Sequence, residues 1–197
     1  MIQAFSNLAT SFGISASAGL NAYLPLLIVA IAARFTPLLK LNKPFDLLTD
    51  NLVMAVLVAL LLVETFADKI PAVDTVNDAI QTLVRPTAGA ILFAASNNVI
   101  ADVHPVLALV CGLLLAGSVH AAKATVRPAV TAFTGGLGNP VLSLVEDVVA
   151  ATVTILSILL PFLMVVLLGL FLLLLFLLWH QRTSPLVGPN RKGKEVH

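Results

Sequence analysis

The residues best suited to chemistry are a few ionisable side chains set into an otherwise apolar chain. Glu64 and Asp68 stand four residues apart at the end of LLLVETFADK, so on a helix they share one face. Glu146 and Asp147 are adjacent and precede Val148–Trp179, 32 residues without a charged side chain. Lys69, Arg85, Lys123 and Arg127 fall at the margins of the apolar segments, and Asp74 lies in the connection that follows Lys69. Ionisable groups in such surroundings are costly and mark functional sites by default. Carboxylates placed this way can bind a cation, relay protons, act as acid and base, or ligate a metal. The cations can meet an anionic group such as a lipid phosphate. Against this stands a plainer expectation, in which long side chains snorkel to the membrane boundary and form structural ion pairs.

Further polar candidates flank this set. Asn139-Pro140 lies less than two helical turns before Glu146, and Asn21 and Tyr23 lie in the small-residue run GISASAGLNAYLP. Small residues permit close helix approach, and backbone freed near Pro25 can face a cavity. Arg85-Pro86 sets an X-Pro helix start beside a cation, where free backbone N–H groups could hold an anion. Ser96-Asn97-Asn98 reads as interfacial. His104 and His180 flank apolar segments and His120 is close to Lys123, but no HExxH, nucleophile elbow, P-loop or paired-histidine spacing occurs. Gly135-Gly-Leu-Gly138 lacks the strand–helix context of a nucleotide fold. A metal site built from Glu64, Asp68, Glu146 and Asp147 is geometrically admissible without diagnostic spacing, so a metal stays open and no cofactor is expected. Cys111 is the single cysteine and reads as a small buried hydrophobe. An enzyme is the less favoured class.

Composition explains why so few charges matter. The 197 residues are 59% hydrophobic and 11% charged, with a mean hydropathy of +1.03, against roughly 25% charged residues in soluble domains. The net charge of +1 and the dispersed basic residues exclude a nucleic-acid partner. The expected architecture is all-α: a polytopic membrane bundle of about six transmembrane helices, one domain over residues 1–180. The crossings are expected near Gly13–Ala33, Leu52–Ala67, Pro86–Ile100, Val106–Ala122, Val141–Ile158 and Phe162–Trp179. The last two need a break at Pro161, because one helix from Val141 to Trp179 would be about 58 Å long across a core of about 30 Å.

The remaining segments set orientation. Residues 1–12 lack a basic n-region and read either as an interfacial amphipathic helix or as the start of the first crossing. With the N-terminus cytoplasmic, Lys69, Arg85, Lys123, Arg127, Arg182, Arg191, Lys192 and Lys194 share its side, against Arg34, Lys40 and Lys43 opposite. That asymmetry predicts both termini inside. Residues 181–197 read as a disordered cytoplasmic tail.

Two connections echo each other at an offset of 54 residues, pairing Lys69 with Lys123, Val76 with Val130 and Pro86 with Pro140. Val73–Val84 shows one apolar face, with Asp74, Asn77, Asp78 and Gln81 opposite, as an amphipathic or re-entrant connector at an interface or lining a cavity requires. The echo admits an internal parallel repeat, an arrangement that in transporters places ligand sites between repeats.

Five blocks, GLNAYLPLL, ETFADKIPAVD, RPTAGA, HAAKATVR and NPVLSLVED, resemble in order the small bacterial and plastid membrane proteins grouped as a domain of unknown function, number 4126 in that series. The resemblance covers about residues 8–180. It implies a multi-span bacterial inner-membrane protein whose signature residues include Glu64, Asp68, Lys69, Asp74, Arg85, Lys123, Asn139 and Glu146, and it implies no activity. The expected function is a transporter or channel-like protein with a charged cytoplasm-facing vestibule, moving an ion, a small solute or an anionic lipid. Membrane lipids are its expected partners, and a homo-oligomer would complete a pathway too large for one small bundle. A membrane enzyme on a lipid-linked substrate and a non-catalytic assembly subunit are the other classes.

Overall fold

The computed structural model describes residues 2–67, 71–96, 104–161, 163, 166, 170 and 173, the side chains of 2–5 and 71–75 excepted. The chain divides into two units, Met1–Val165 and Val166–His197. Of the second unit, and of the expected sixth crossing, the few described residues are helical, and the expected tail lies outside the described residues. The first unit is a bundle of six helices: α1 (Ile2–Ala18), α2 (Tyr23–Phe35), α3 (Asn51–Ala67), α4 (Pro71–Ser96), α5 (Pro105–Thr134) and α6 (Asn139–Leu159). A short 3-10 turn, Phe45–Thr49, joins α2 to α3. No strand occurs among the described residues.

Three helices differ from the expected boundaries, each for a local reason. The segment 1–12 and the start of the first crossing form the single helix α1, and the break falls at Gly19–Asn21 instead. A Cβ on Gly19 would come within 2.5 Å of Ala116 O and 2.6 Å of Val119 Cβ, so only glycine lets the chain turn against α5 there. The Asn21 side chain accepts the Leu24 N–H at 2.9 Å and thereby caps α2. Pro25, read from sequence as a mid-span proline, thus falls in the first turn of α2, where a missing N–H leaves nothing unpaired.

The expected connector 73–84 and third crossing are one 26-residue helix, α4, which runs through Pro86. Likewise α5 has 30 residues and continues past Lys123 and through Pro128. Each proline removes one ladder hydrogen bond, and packing between the two helices holds them together regardless. Lys123 is therefore mid-helix, and Lys69 lies outside the described residues. The helix pattern does not repeat at the offset of 54. Gly135 ends α5 in the left-handed conformation (φ 62°), with Gly136 at φ 88°, and both N–H groups return to Thr131 O. Pro140 opens α6, which stops at Leu159.

The α1 helix runs through the middle of the bundle, against α4, α5 and α6. Its buried face carries Ile14 and a row of hydroxyls. Ser15 Oγ donates to Gly89 O (2.9 Å) and Gly112 O (3.1 Å), Ser17 pairs with Thr154 (2.7 Å), and Ser11 pairs with Ser96 (3.0 Å). Large apolar side chains point outward instead: Leu114, Leu144, Val148 and Leu62 are all exposed. Such a surface suits an apolar surrounding. Among the described residues, α5 and α6 are long and apolar enough to cross a membrane.

The helices come closest where α4 crosses α5. A Cβ on Gly89 would overlap the Ala116 side chain, and one on Gly112 would overlap Gly89 O and stand 2.7 Å from Ala90 Cα. Gly112→Ala should therefore lower the unfolding midpoint of the detergent-purified protein by several degrees, consistent with about 1–3 kcal/mol for overpacking. Gly117→Ala should leave the midpoint unchanged, because the nearest atom to its new Cβ is Pro86 Cγ at 3.8 Å. Thermal melts of the two variants decide this, and an equal response would show that the crossing is not tightly packed.

Candidate functional site

The ionisable residues lie on helix faces that turn inward. On α4, Asp78, Gln81, Thr82 and Arg85 follow the helical repeat, and on α5 so do His120, Lys123, Arg127 and Thr131. On α6 the buried positions are Asn139, Ser143, Glu146, Ala150, Thr154 and Ser157. This reverses the polarity of a soluble helix, whose charges face solvent.

Among the described residues, three ion pairs organise the site. Arg85 on α4, 1% exposed, donates through Nη2 to Glu64 Oε1 on α3 at 3.1 Å, and that carboxylate is 2% exposed. Lys123 on α5 meets Glu146 Oε2 on α6 at 2.6 Å and also donates to Leu20 O at 3.2 Å, at the α1–α2 break. Arg127 on α5 pairs with Asp78 Oδ2 on α4. Alongside, Asn21 Nδ2 donates to Asp147 Oδ1 at 2.8 Å, and Thr131 donates to Asn139 Oδ1 at 3.1 Å. The Gln81 amide, itself buried, bonds the Tyr23 hydroxyl.

His120 links two of the pairs, and its partners fix its tautomer. Arg85 Nη1, 3.2 Å from Nδ1, can only donate, so Nδ1 is the acceptor. The Thr82 hydroxyl, which donates to Asp78 O at 2.9 Å, is left to accept from Nε2–H at 3.2 Å. In this arrangement His120 is neutral, with its proton on Nε2.

These elements enclose a cavity of about 620 Å³ between α4, α5 and the start of α6. Asp78, Thr82, His120, Lys123, Arg127, Thr131 and Asn139 supply its polar wall, and Ala79, Ala124, Pro128 and Ala132 its apolar wall. Of the residues singled out from sequence, Lys123, Arg127 and Asn139 line the cavity directly. Glu146 stands behind Lys123, and Glu64 behind Arg85. Asn21, Tyr23 and Asp147 join the network at the α1–α2 break without lining the cavity. Asp68 and Lys69 lie outside the described residues, and so does the side chain of Asp74. A second cavity of about 370 Å³, at the other end of α1, is lined by Ser6, Asn7, Thr10, Lys40 and Ser96 among others. Among the described residues no three His, Cys, Asp or Glu side chains group to hold a metal.

Sequence reasoning passed over Asp78, Gln81, Thr82 and His120 as site residues. Asp78 and Gln81 were read as the polar face of an amphipathic connector, at an interface or lining a cavity, and Thr82 was not singled out. Their signal was the matched V-R-P at Val84–Pro86 and Val126–Pro128, which sets one buried arginine on each of two paired helices.

A family model described as Domain of unknown function (DUF4126) matches residues 8–181. The chain belongs to this family. The DUF4126 match takes in all three ion pairs and every residue lining the larger cavity. No curated protein and no solved structure matches the chain.

Buried ion pairs add little stability by themselves, but removing one partner strands a charge at about 3–5 kcal/mol. Glu64→Gln should therefore destabilise the protein strongly, while Glu64→Leu with Arg85→Met should recover much of the loss. Chemical denaturation of both variants reads this directly. A double variant less stable than the single would show that Glu64 does not compensate Arg85.

Proposed function

We propose that this chain is an integral membrane transporter or channel-like protein whose vestibule is the α4–α5–α6 cavity. It moves an ion, a small solute or an anionic lipid, acts as a homo-oligomer in a bacterial inner membrane, and keeps both termini cytoplasmic. The observation that carries the reading is the convergence of paired, buried charges on one cavity inside a bundle whose outer surface is apolar. Buried ion pairs add little stability by themselves, and ionisable groups inside membrane helices are functional candidates by default.

Helix length supports the placement. At 30 residues, α5 extends about 45 Å, well beyond a hydrocarbon core of about 30 Å. Its surplus lies toward the C-terminal end, where Lys123 and Arg127 stand, so the vestibule sits at the cytoplasmic boundary. Six crossings remain our reading, with α1 and α2 as a broken first crossing. The smaller cavity beside Lys40 marks the far side. An internal duplication is not part of this reading, since the helix pattern fails to repeat.

Glu64 and Glu146 each hold a cation already, which favours a role in positioning Arg85 and Lys123 over direct capture of a metal ion. The same pairing also favours a second reading, a non-catalytic assembly subunit in which the pairs only join helices.

Flux measurements on sealed vesicles separate the two. Reconstituted protein should pass small anions, cations or labelled lipid, and Glu146→Gln should lower that flux by about tenfold or more, equivalent to about 1.4 kcal/mol. Wild-type vesicles tight to all three classes would sink the transport reading. A Glu146→Gln protein that melts earlier but supports full activity in cells would establish the assembly role.

A further inference from the structure

We propose that the cavity takes an oxyanion, a carboxylate or phosphate carried on an apolar body, and that Asp78 holds that anion's place on Arg127 until displaced. The inference rests on the vestibule reading and names the substrate class.

The Asp78–Arg127 pair is unlike the other two. Its cation is buried, with the Arg127 side chain 7% exposed, while the Asp78 side chain is 29% exposed and sits in the same cavity wall. A guanidinium offers a planar fork that matches two oxygens of one carboxylate or phosphate. Asp78 engages that fork through one oxygen. Its Oδ2 meets Arg127, but its Oδ1 is buried with no hydrogen-bond partner among the described residues. A buried carboxylate oxygen without a donor is costly, so Asp78 has a gain in turning outward once another anion can take Arg127.

The neighbouring charges allow that exchange. Lys123 is balanced from behind by Glu146 and Leu20 O, and His120 is neutral in its bond to Arg85. Turning Asp78 outward therefore removes one negative charge from the wall, and an incoming oxyanion restores it. The wall beyond the charges is aliphatic, formed by Ala79, Ala124 and Pro128. A bare inorganic anion would leave this surface unused. The volume, about 620 Å³, falls within the range of roughly 300–1,000 Å³ typical of small-molecule sites.

Equilibrium binding to the purified full-length chain in phosphatidylcholine nanodiscs tests the proposal. Hexanoate and inorganic phosphate serve as soluble probes, and phosphatidylglycerol added to the discs as the lipid probe. Asp78→Asn keeps the size but removes the competing charge, and should tighten hexanoate binding by about tenfold or more. Arg127→Gln should lose that binding, and Asp78→Asn with Arg127→Gln should show no gain. If Arg127→Gln fails to fold, Arg127→Lys is read instead and should bind more weakly than wild type. Hexanoate binding that is indifferent to phosphatidylglycerol supports a free organic acid as occupant, and binding displaced by it supports an anionic lipid. Phosphate binding as tight as hexanoate would overturn the apolar-body requirement. Unchanged or weaker hexanoate binding in Asp78→Asn would overturn the latch. Tightened binding without vesicle flux would leave the oxyanion site standing and remove transport. Flux without an Asp78 effect would do the reverse.

Discussion

The bundle depends on what Arg85 does with a charge it cannot lose. A guanidinium stays protonated at any accessible pH, and this one is 1% exposed. Its position is fixed by needing a carboxylate on one side and a neutral acceptor on the other. Glu64 supplies the first from α3 and His120 the second from α5, so one side chain joins three helices. Everything nearer the cavity follows. With Nδ1 of His120 committed to Arg85, Nε2–H must be directed at Thr82, which in turn anchors to the Asp78 carbonyl. The wall of the vestibule is thus the outer end of a chain of donors and acceptors that starts at a buried arginine.

The antiparallel pair α4 and α5 meets in two contrasting ways along its length. Where Gly89 faces Gly112 and Ala116, the backbones approach so closely that no added Cβ fits. Toward the other end, beyond Pro86 on α4 and from His120 onward on α5, the same helices frame the cavity. Close packing by small residues is how helices associate in lipid, where burial of apolar surface supplies no drive between them. Tight crossing and open vestibule are complementary consequences of one helix pair: small side chains close it, and long charged ones hold it apart.

Much of this was legible in the residues, though unevenly. The family, the helical class and the grouping of charges were all readable, because long uncharged runs and isolated ionisable groups have few physical interpretations. Element boundaries were read less well where proline and glycine were involved. Pro86 looks like a helix start in sequence, yet it lies within a helix stabilised by its neighbours, as Pro128 does. Gly19 looks like ordinary small-residue packing, yet it marks the break that brings Leu20 O and Asn21 to the charged layer. Asp78 was hidden for a different reason. Its α4 face was read as interfacial or cavity-lining, and which of its residues meets a charge is set only by the partner helix with its own buried arginine.

Hydrogen-bond capacity also differs between the two halves of the bundle, and that difference locates where change can occur. Around α1 the hydroxyls are spent. Ser15 serves two carbonyls, Ser17 serves Ile14 O and Thr154, and Thr10 reaches Ser157 O. A group with its donor committed locally has no reason to exchange partners, so this half behaves as a frame. The charged layer is different. Arg85 Nε, Gln81 Oε1 and Asp78 Oδ1 are all buried without a hydrogen-bond partner among the described residues. Each is a free-energy cost of about 1–3 kcal/mol, larger for charged groups, and an incoming ligand or water could relieve it. Low dielectric strengthens the bonds that are made and raises the penalty for those left unmade. A polar network satisfied at one end and open at the other therefore has its conformational freedom confined to the open end. Here that end is the face of α4 that carries Arg85, Gln81 and Asp78, the last of which lines the cavity.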